Sequence, residues 1–224
     1  MTAQAPISLH ADLTAPAQVD TSALDWVPSP MQGVERRMIE RDGGEVARAT
    51  SVVRYAPGSR FSAHLHDKGE EYIVLAGTFS DNDGDFPVGS YVRNPPGSSH
   101  APHTDDGCTI LVKLRQMPDD EKQTVHVDTR VATYEPAGAA GYERQMLFAS
   151  SYETVTAERL QPGVSLDAQD QGGEEIFVLE GTLSYGGTLY KQGAWMRRPA
   201  GSEQAMASSD GCRLWVKRGH LPAN

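Results

Sequence analysis

The sequence predicts an all-β protein built from two similar halves. Short runs rich in β-branched and aromatic residues recur between turn signals roughly eight to twelve residues apart, the spacing of a β-sandwich or barrel. Helical periodicity is hard to find anywhere up to residue 130. Most tellingly, EEYIVLAGTFS (70–80) returns as EEIFVLEGTLS (174–184), with seven of eleven residues identical. The pairs Gly77/Gly181, Gly89/Gly193, Gly97/Gly201 and Cys108/Cys212 all keep a spacing of 104, whereas Gly58/Gly163 are 105 apart. A unit of about a hundred residues has therefore been duplicated, with one residue lost in the second copy between its first Gly and its Glu.

Residues 1–20 are rich in Ala, Thr and Pro and lack apolar periodicity. They read as an arm, partly ordered, that a partner subunit could receive. Short strands begin after Asp25, and Asp42-Gly43-Gly44 suggests a hairpin or bulged turn. The Pro-, Gly- and Ala-rich YEPAGAAG, within the stretch from Thr129 to Ala140, reads as the linker. The expected division is thus an arm (1–20), a first domain (21–130) and a second domain (131–224).

Thirty acidic against twenty basic residues give a net charge of −10, which disfavours nucleic acid and anionic membranes as partners. The N-terminal stretch has neither the basic start nor the apolar core of a signal peptide, and no apolar run approaches a membrane span. A cytoplasmic protein is expected. The two cysteines, Cys108 and Cys212, each follow a Gly and precede an apolar run, so they read as buried small hydrophobes rather than a disulfide or a zinc site.

The chemistry gathers in GSRFSAHLHDKGEEYIVLAG (58–77). On an extended strand His64 and His66 project to one face. Asp67-Lys68-Gly69 is a turn, and Glu70 opens the next strand. Thirty residues on, a Pro-Gly turn delivers His100. Three imidazoles and one carboxylate suit a divalent transition metal and leave two octahedral positions open; zinc, iron, manganese and nickel all accept this set. Such a centre supports dioxygen activation, isomerisation, hydrolysis or sensing of a small ligand.

These residues resemble the cupin superfamily. Gly58, His64, His66, Glu70 and Gly77 fill the motif G-x5-H-x-H-x3-E-x6-G, and Gly89, Pro95, Gly97 and His100 fill G-x5-P-x-G-x2-H. One departure is Thr104, where cupins often carry Asn. The resemblance implies a duplicated double-stranded β-helix, or jelly-roll barrel: a bicupin. Residues 25–117 are more narrowly similar to the C-terminal cupin of ChrR-type anti-sigma factors, which implies a metal, zinc in that family, on His64, His66, Glu70 and His100, and a role in the response to singlet oxygen and related oxidants. In that family sigma-factor inhibition resides in a separate helical domain with a His/Cys zinc site. The 24 residues before Asp25 contain no Cys and are too few for it, so a sigma factor is not an expected partner. Similar cupins also include dioxygenases acting on diketones or hydroxyacetophenones.

In the second half Gln169, Gln171 and Gln204 replace the three histidines, while Glu174 survives. Amides are poor donors for a first-row metal, so this half is expected to be a degenerate site without metal, and the chain to hold one metal. Tyr72, two residues beyond Glu70, should share its face and reads equally as core filler or as a hydrogen-bond donor to a ligand. Phe61, Tyr91 and Phe79 are expected to line or pack the barrel, with Phe61 and Tyr91 as further candidates to touch a ligand. Glu71 has the opposite parity and is expected at the surface or an interface, as is His103 at the surface. Arg93, Lys113 and Arg115 read as surface charges or as anchors for an anionic ligand. The expected function is a metal-binding bicupin in regulation or oxidative-stress sensing; the alternative is a metal-dependent dioxygenase or isomerase acting on a small oxygenated molecule. A homodimer fits either.

Overall fold

The computed structural model describes residues 7–167, 173–201 and 205–222. The fold is all-β apart from one short 3-10 turn, Thr21–Ala23, among the described residues. The chain forms two compact units, one of Met1–Ala11 with Leu24–Arg130 and the other of Asp12–Ala23 with Val131–Asn224.

The strands in chain order are β1 (Ile7–Leu9), β2 (Ala17–Asp20), β3 (Val27–Pro28), β4 (Val34–Gly43), β5 (Ala47–Tyr55), β6 (His64–Leu65), β7 (Glu70–Asp81), β8 (Gly84–Pro87), β9 (Ser90–Asn94), β10 (Ser99–His100), β11 (Cys108–Leu114) and β12 (Val125–Asp128). They continue with β13 (Glu135–Pro136), β14 (Tyr142–Ala149), β15 (Thr154–Leu160), β16 (Val164–Leu166), β17 (Glu174–Tyr185), β18 (Thr188–Lys191), β19 (Ala194–Arg198), β20 (Met206–Ser208) and β21 (Cys212–Arg218). In the first unit the sheet runs β1-β4-β5-β11-β7-β9-β12, with β6 and β10 as a separate pair. In the second it runs β13-β14-β15-β21-β17-β19-β2. All pairings among the described residues are antiparallel.

Residues 7–20 do not form the expected arm. Strand β1 pairs with β4 in the first unit, and β2 pairs with β19 in the second. The edge position that β2 fills beside β19 is filled in the first unit by β12 beside β9. Each copy of the repeat thus gives its leading strand to the sheet of the other. Thr21 and Thr129 close the exchange alike: Thr21 Oγ1 donates to the Gly193 carbonyl at 2.6 Å and Thr129 Oγ1 to the Gly89 carbonyl at 2.8 Å. A four-residue strand whose partner lies over 170 positions away has no local periodic signal. Its trace is the match of Val19-Asp20-Thr21 to Val127-Asp128-Thr129.

Each unit has its own core. In the first it is built around Tyr72, Val74, Phe79, Phe86, Val92, Ile110 and Val112; in the second, around Ile176, Val178, Leu183, Met196, Leu214 and Val216. Burying each such side chain contributes about 1.5–3 kcal/mol. In strand β7 the inward parity changes partway: Tyr72 and Val74 point into the core, and so does Phe79. The cause is a β-bulge, since Ile110 faces Val74 but Thr109 faces Ala76, leaving Leu75 unmatched. The same bulge recurs between Val178 and Glu180. Just beyond it, a Cβ on Gly77 would meet the Gly107 carbonyl oxygen at 2.1 Å and one on Gly181 the Gly211 oxygen at 2.2 Å. Both glycines also have positive φ, so this repeat glycine is required by close backbone approach. Cys108 and Cys212 are buried free thiols.

Candidate metal centre

Strands β6 and β10 place His64 directly opposite His100. His66 continues the first of these strands; its N–H donates to the Ser98 carbonyl and its carbonyl accepts from the Gly97 N–H. Glu70 enters from the start of β7, next to Asn94 of β9. Four residues from three segments thereby converge. One ligand atom from each of His64, His66 and His100 lies within 4.8 Å of the others. Glu70 Oε2 lies 3.4 Å from His66 Nε2 and 3.6 Å from His100 Nε2. His66, His100 and Glu70 are buried and His64 is exposed, so the cluster can be approached from the His64 side.

The other ring nitrogens decide what this cluster can do. His100 Nδ1 donates to Asp81 Oδ2 at 2.9 Å. His66 Nδ1 donates to Ser98 Oγ at 3.1 Å, whose own proton goes to the Pro95 carbonyl. His64 Nδ1 is 3.3 Å from the Ser62 carbonyl. With the proton on Nδ1 in these rings, the Nε2 lone pairs of His66 and His100 face the Glu70 carboxylate, an arrangement that a bound metal ion would relieve. His66 Nε2 is buried with no hydrogen-bond partner, as an atom reserved for a metal would be. Burial lowers the pKa of His66. Burial acts the same way on His100, but the Asp81 hydrogen bond and the Glu70 charge outweigh it and raise its pKa. Asp81 is raised by burial, yet its hydrogen bond to His100 prevails and its carboxyl lies below the ordinary range. The residues fit a divalent transition metal.

Asn94 Nδ2 reaches Glu70 Oε2 at 3.3 Å and orients the carboxylate. Asp81, Ser98 and Asn94 do not stand out in the sequence. Asp81 is eleven residues after Glu70, an odd count that puts it on the opposite face until the bulge in β7 is known. Thr104, which departs from the usual Asn, is buried and donates to the Thr78 carbonyl at 2.7 Å; its counterpart Ser208 donates to Thr182 at 2.6 Å.

Tyr72 lies on the Glu70 side of β7, 1% exposed, with its ring 4.8 Å from Phe79, which in turn lies 5.8 Å from the His100 ring. Its hydroxyl has no hydrogen-bond partner. Phe61 is half-buried and meets Tyr55 edge-on at 5.6 Å. Tyr91 is not brought to the cluster. Its hydroxyl donates to Glu71 at 2.8 Å on the opposite face of the sheet, where Arg93 also pairs with Glu71 at 3.0 Å. Glu71, Arg93 and Lys113 are all buried there, so Arg93 and Lys113 are not surface charges and Glu71 is not a solvent-exposed residue. Arg115 pairs with Asp67, and His103 is half-buried, its backbone bonded to Ser80.

In the second unit Gln169, Gln171 and Gln204 lie outside the described residues. Glu174 is buried and is met by two guanidiniums, Arg198 Nη1 at 2.8 Å and Arg218 Nε at 2.9 Å.

Two antiparallel units of this kind, one carrying a cluster of three histidines and a glutamate, make the architecture of a duplicated cupin. The chain belongs to the family described as the ChrR cupin-like domain, whose profile matches it twice, over residues 14–118 and 122–222. No curated protein matches it in sequence. Among solved structures, a candidate dioxygenase from Nostoc punctiforme is similar at a TM-score of 0.78 and 14% identity, covering 92% of this chain and 84% of that one. The bacterial pirin YhhW from Escherichia coli, in complex with nickel(II), gives 0.67 at 12% identity over 94% of this chain and 100% of that one. Oxalate decarboxylase from Bacillus subtilis, with Mn(II) centres, gives 0.60 at 12% identity over 100% and 80%. At these identities the likeness is one of fold. No helix among the described residues is long and apolar enough to cross a membrane.

Proposed function

We propose that the first unit holds one divalent transition metal, zinc in the first instance, on His64, His66, Glu70 and His100, and that this centre works in regulation, in the response to oxidants. The observation that carries it is the convergence of three imidazoles, each with Nδ1 at a polar partner outside the cluster, with the Nε2 atoms of His66 and His100 turned toward Glu70. A bound metal would supply a Lewis acid with open positions for a small oxygen-containing ligand. The chain's own residues fix the geometry. Asp81 sets the His100 tautomer, Ser98 that of His66, and Asn94 the Glu70 carboxylate.

Membership in the ChrR cupin-like family supports the regulatory part. So do the thiols. Cys108 and Cys212 are buried, and burial pushes the Cys108 thiol up to about 11, so neither offers the accessible thiolate that oxidant sensing by cysteine needs. The metal cluster, open at His64, is a group an oxidant can reach. An anti-sigma lineage and a cytoplasmic setting belong to the same proposal.

A second reading, a dioxygenase or isomerase for a small oxygenated molecule, draws on one observation. Tyr72 carries a buried hydroxyl without a partner, two residues from Glu70. Its pKa is driven up by burial and by Glu70, so it would act as a neutral donor to such a ligand.

Zinc-loaded protein exposed to photosensitised singlet oxygen distinguishes the two. The regulatory reading expects metal release into a chromogenic chelator. Intact metal, together with oxygen uptake by the Fe(II) form that depends on added diketone or aryl ketone, would replace it with the enzymatic one.

A further inference from the structure

The second unit contains a cavity of about 300 Å³, walled in large part by Tyr142, Arg144, Glu174, Arg198, Met206 and Arg218. That volume is at the small end of ligand-binding sites. Strand register shows what this wall replaces. Glu70 lies between Asn94 and Leu114 in the first unit, and Glu174 lies between Arg198 and Arg218 in the second. Likewise Tyr142 stands where the first unit has Val34, opposite Leu160 and Tyr55 respectively. Glu158, opposite Leu214, stands where Val53 lies opposite Ile110. Three apolar positions and one amide have become a phenol, a carboxylate and two guanidiniums.

These groups are tightly organised. Glu158, fully buried, accepts from Tyr142 Oη at 2.6 Å, from Arg144 Nε at 3.1 Å, from Thr156 Oγ1 at 2.7 Å and from both terminal nitrogens of Arg218. Arg144 Nη2 donates to the Tyr142 oxygen at 2.8 Å. A buried ionic network of this kind is generally no more stabilising than the apolar side chains the first unit keeps at the same places. Stability alone gives little reason to install it; recognition does. The cavity and the network behind it carry three guanidiniums against the buried carboxylates Glu158 and Glu174, while Asp167 at the edge is exposed and screened by solvent. Glu158 and Tyr142 engage two of the three Arg144 nitrogens, and that side chain is 30% exposed. Leu166, Met206, Ala137 and Ala139 add an apolar side to this polar lining.

We propose that this cavity binds a small organic monocarboxylate, its carboxylate at the Arg144 guanidinium and its apolar part against Leu166 and Met206. The site is independent of the metal. Positive charge held in place by Glu158 and Tyr142 favours an anion without rearrangement, and the limited volume restricts the ligand to a short chain or a single ring.

Calorimetric titration of the full-length, metal-loaded protein with benzoate and butyrate, against benzamide and butyramide, tests it. The acids should bind and the amides bind at least about tenfold more weakly, as loss of a charge-assisted hydrogen bond implies. Arg144→Gln should weaken the acids by a similar factor, and Leu166→Trp, which fills the cavity without touching the ion pairs, should remove binding while circular dichroism stays unchanged. His64→Ala should leave it intact. Absence of acid binding, equal binding of acids and amides, wild-type binding by both cavity variants, or loss of binding in His64→Ala would each overturn the proposal.

Discussion

The two units share a bulge, a close-packed glycine and a Thr or Ser side chain tied to the same carbonyl position, yet they treat the same carboxylate in opposite ways. In the first, Glu70 faces imidazole lone pairs and calls for a metal. In the second, Glu174 is met by Arg198 and Arg218, cations supplied by the chain itself. The aromatic interior changes too: Tyr55, Tyr72 and Phe79 of the first unit correspond to Leu160, Ile176 and Leu183 of the second. The difference teaches that the scaffold and the site are separable. Duplication preserved what the backbone needs and left the side chains around the carboxylate free to change chemistry.

The largest effect expected of a single change lies in the second unit. Arg218→Met would leave Glu158 and Glu174 short of a buried cation and should destabilise the protein by about 3–5 kcal/mol. Importing the first unit's residues together, Tyr142→Val, Glu158→Val and Arg218→Leu, should recover most of that loss, measured by urea unfolding. A triple variant as unstable as Arg218→Met would show that the two networks are not exchangeable. In the first unit the corresponding cation is removable. A chelator should lower the thermal stability gained by metal loading, a gain of about 2.7 kcal/mol when free metal stands at a hundred times its Kd. His66→Ala should show no such dependence.

Smaller effects refine the comparison. Asp81→Asn keeps the size of the group but weakens its hold on His100, and should reduce metal affinity about 10- to 100-fold in a chelator competition. An unchanged affinity would mean that Asp81 merely shields the ring. Acid should expose the second unit's dependence on carboxylates. Burial raises the Glu158 pKa, but Arg218, Arg144 and Tyr142 outweigh it and the value is lowered. A group with its folded pKa below its unfolded one stabilises the protein above the unfolded value, about 4.3, and the contribution fades as pH falls toward the folded one. Stability should therefore decline with acid below about pH 4, and less so in the Glu158→Val triple variant.

Much of this was legible in the chain. The metal cluster was visible because its ligands sit at fixed spacings on short strands and turns, and the duplication because glycines demanded by backbone geometry recur at one interval. What stayed hidden depends on register or on distant pairing. Asp81 is concealed by the bulge at Leu75, which reverses the parity count. Tyr91 and Glu71 obey parity, but their burial on that face of the sheet cannot be inferred from one strand. The strand exchange joins segments at opposite ends of the chain, and the Arg218–Glu158 pair joins residues 60 apart with no motif between them.

Metal analysis of the purified full-length protein, reconstituted with zinc and separately with iron, tests the central claim most directly. The account predicts one metal per chain, falling to none in His66→Ala and unchanged in Glu174→Gln. Two metals per chain, or one that survives His66→Ala and disappears in Glu174→Gln, would contradict it.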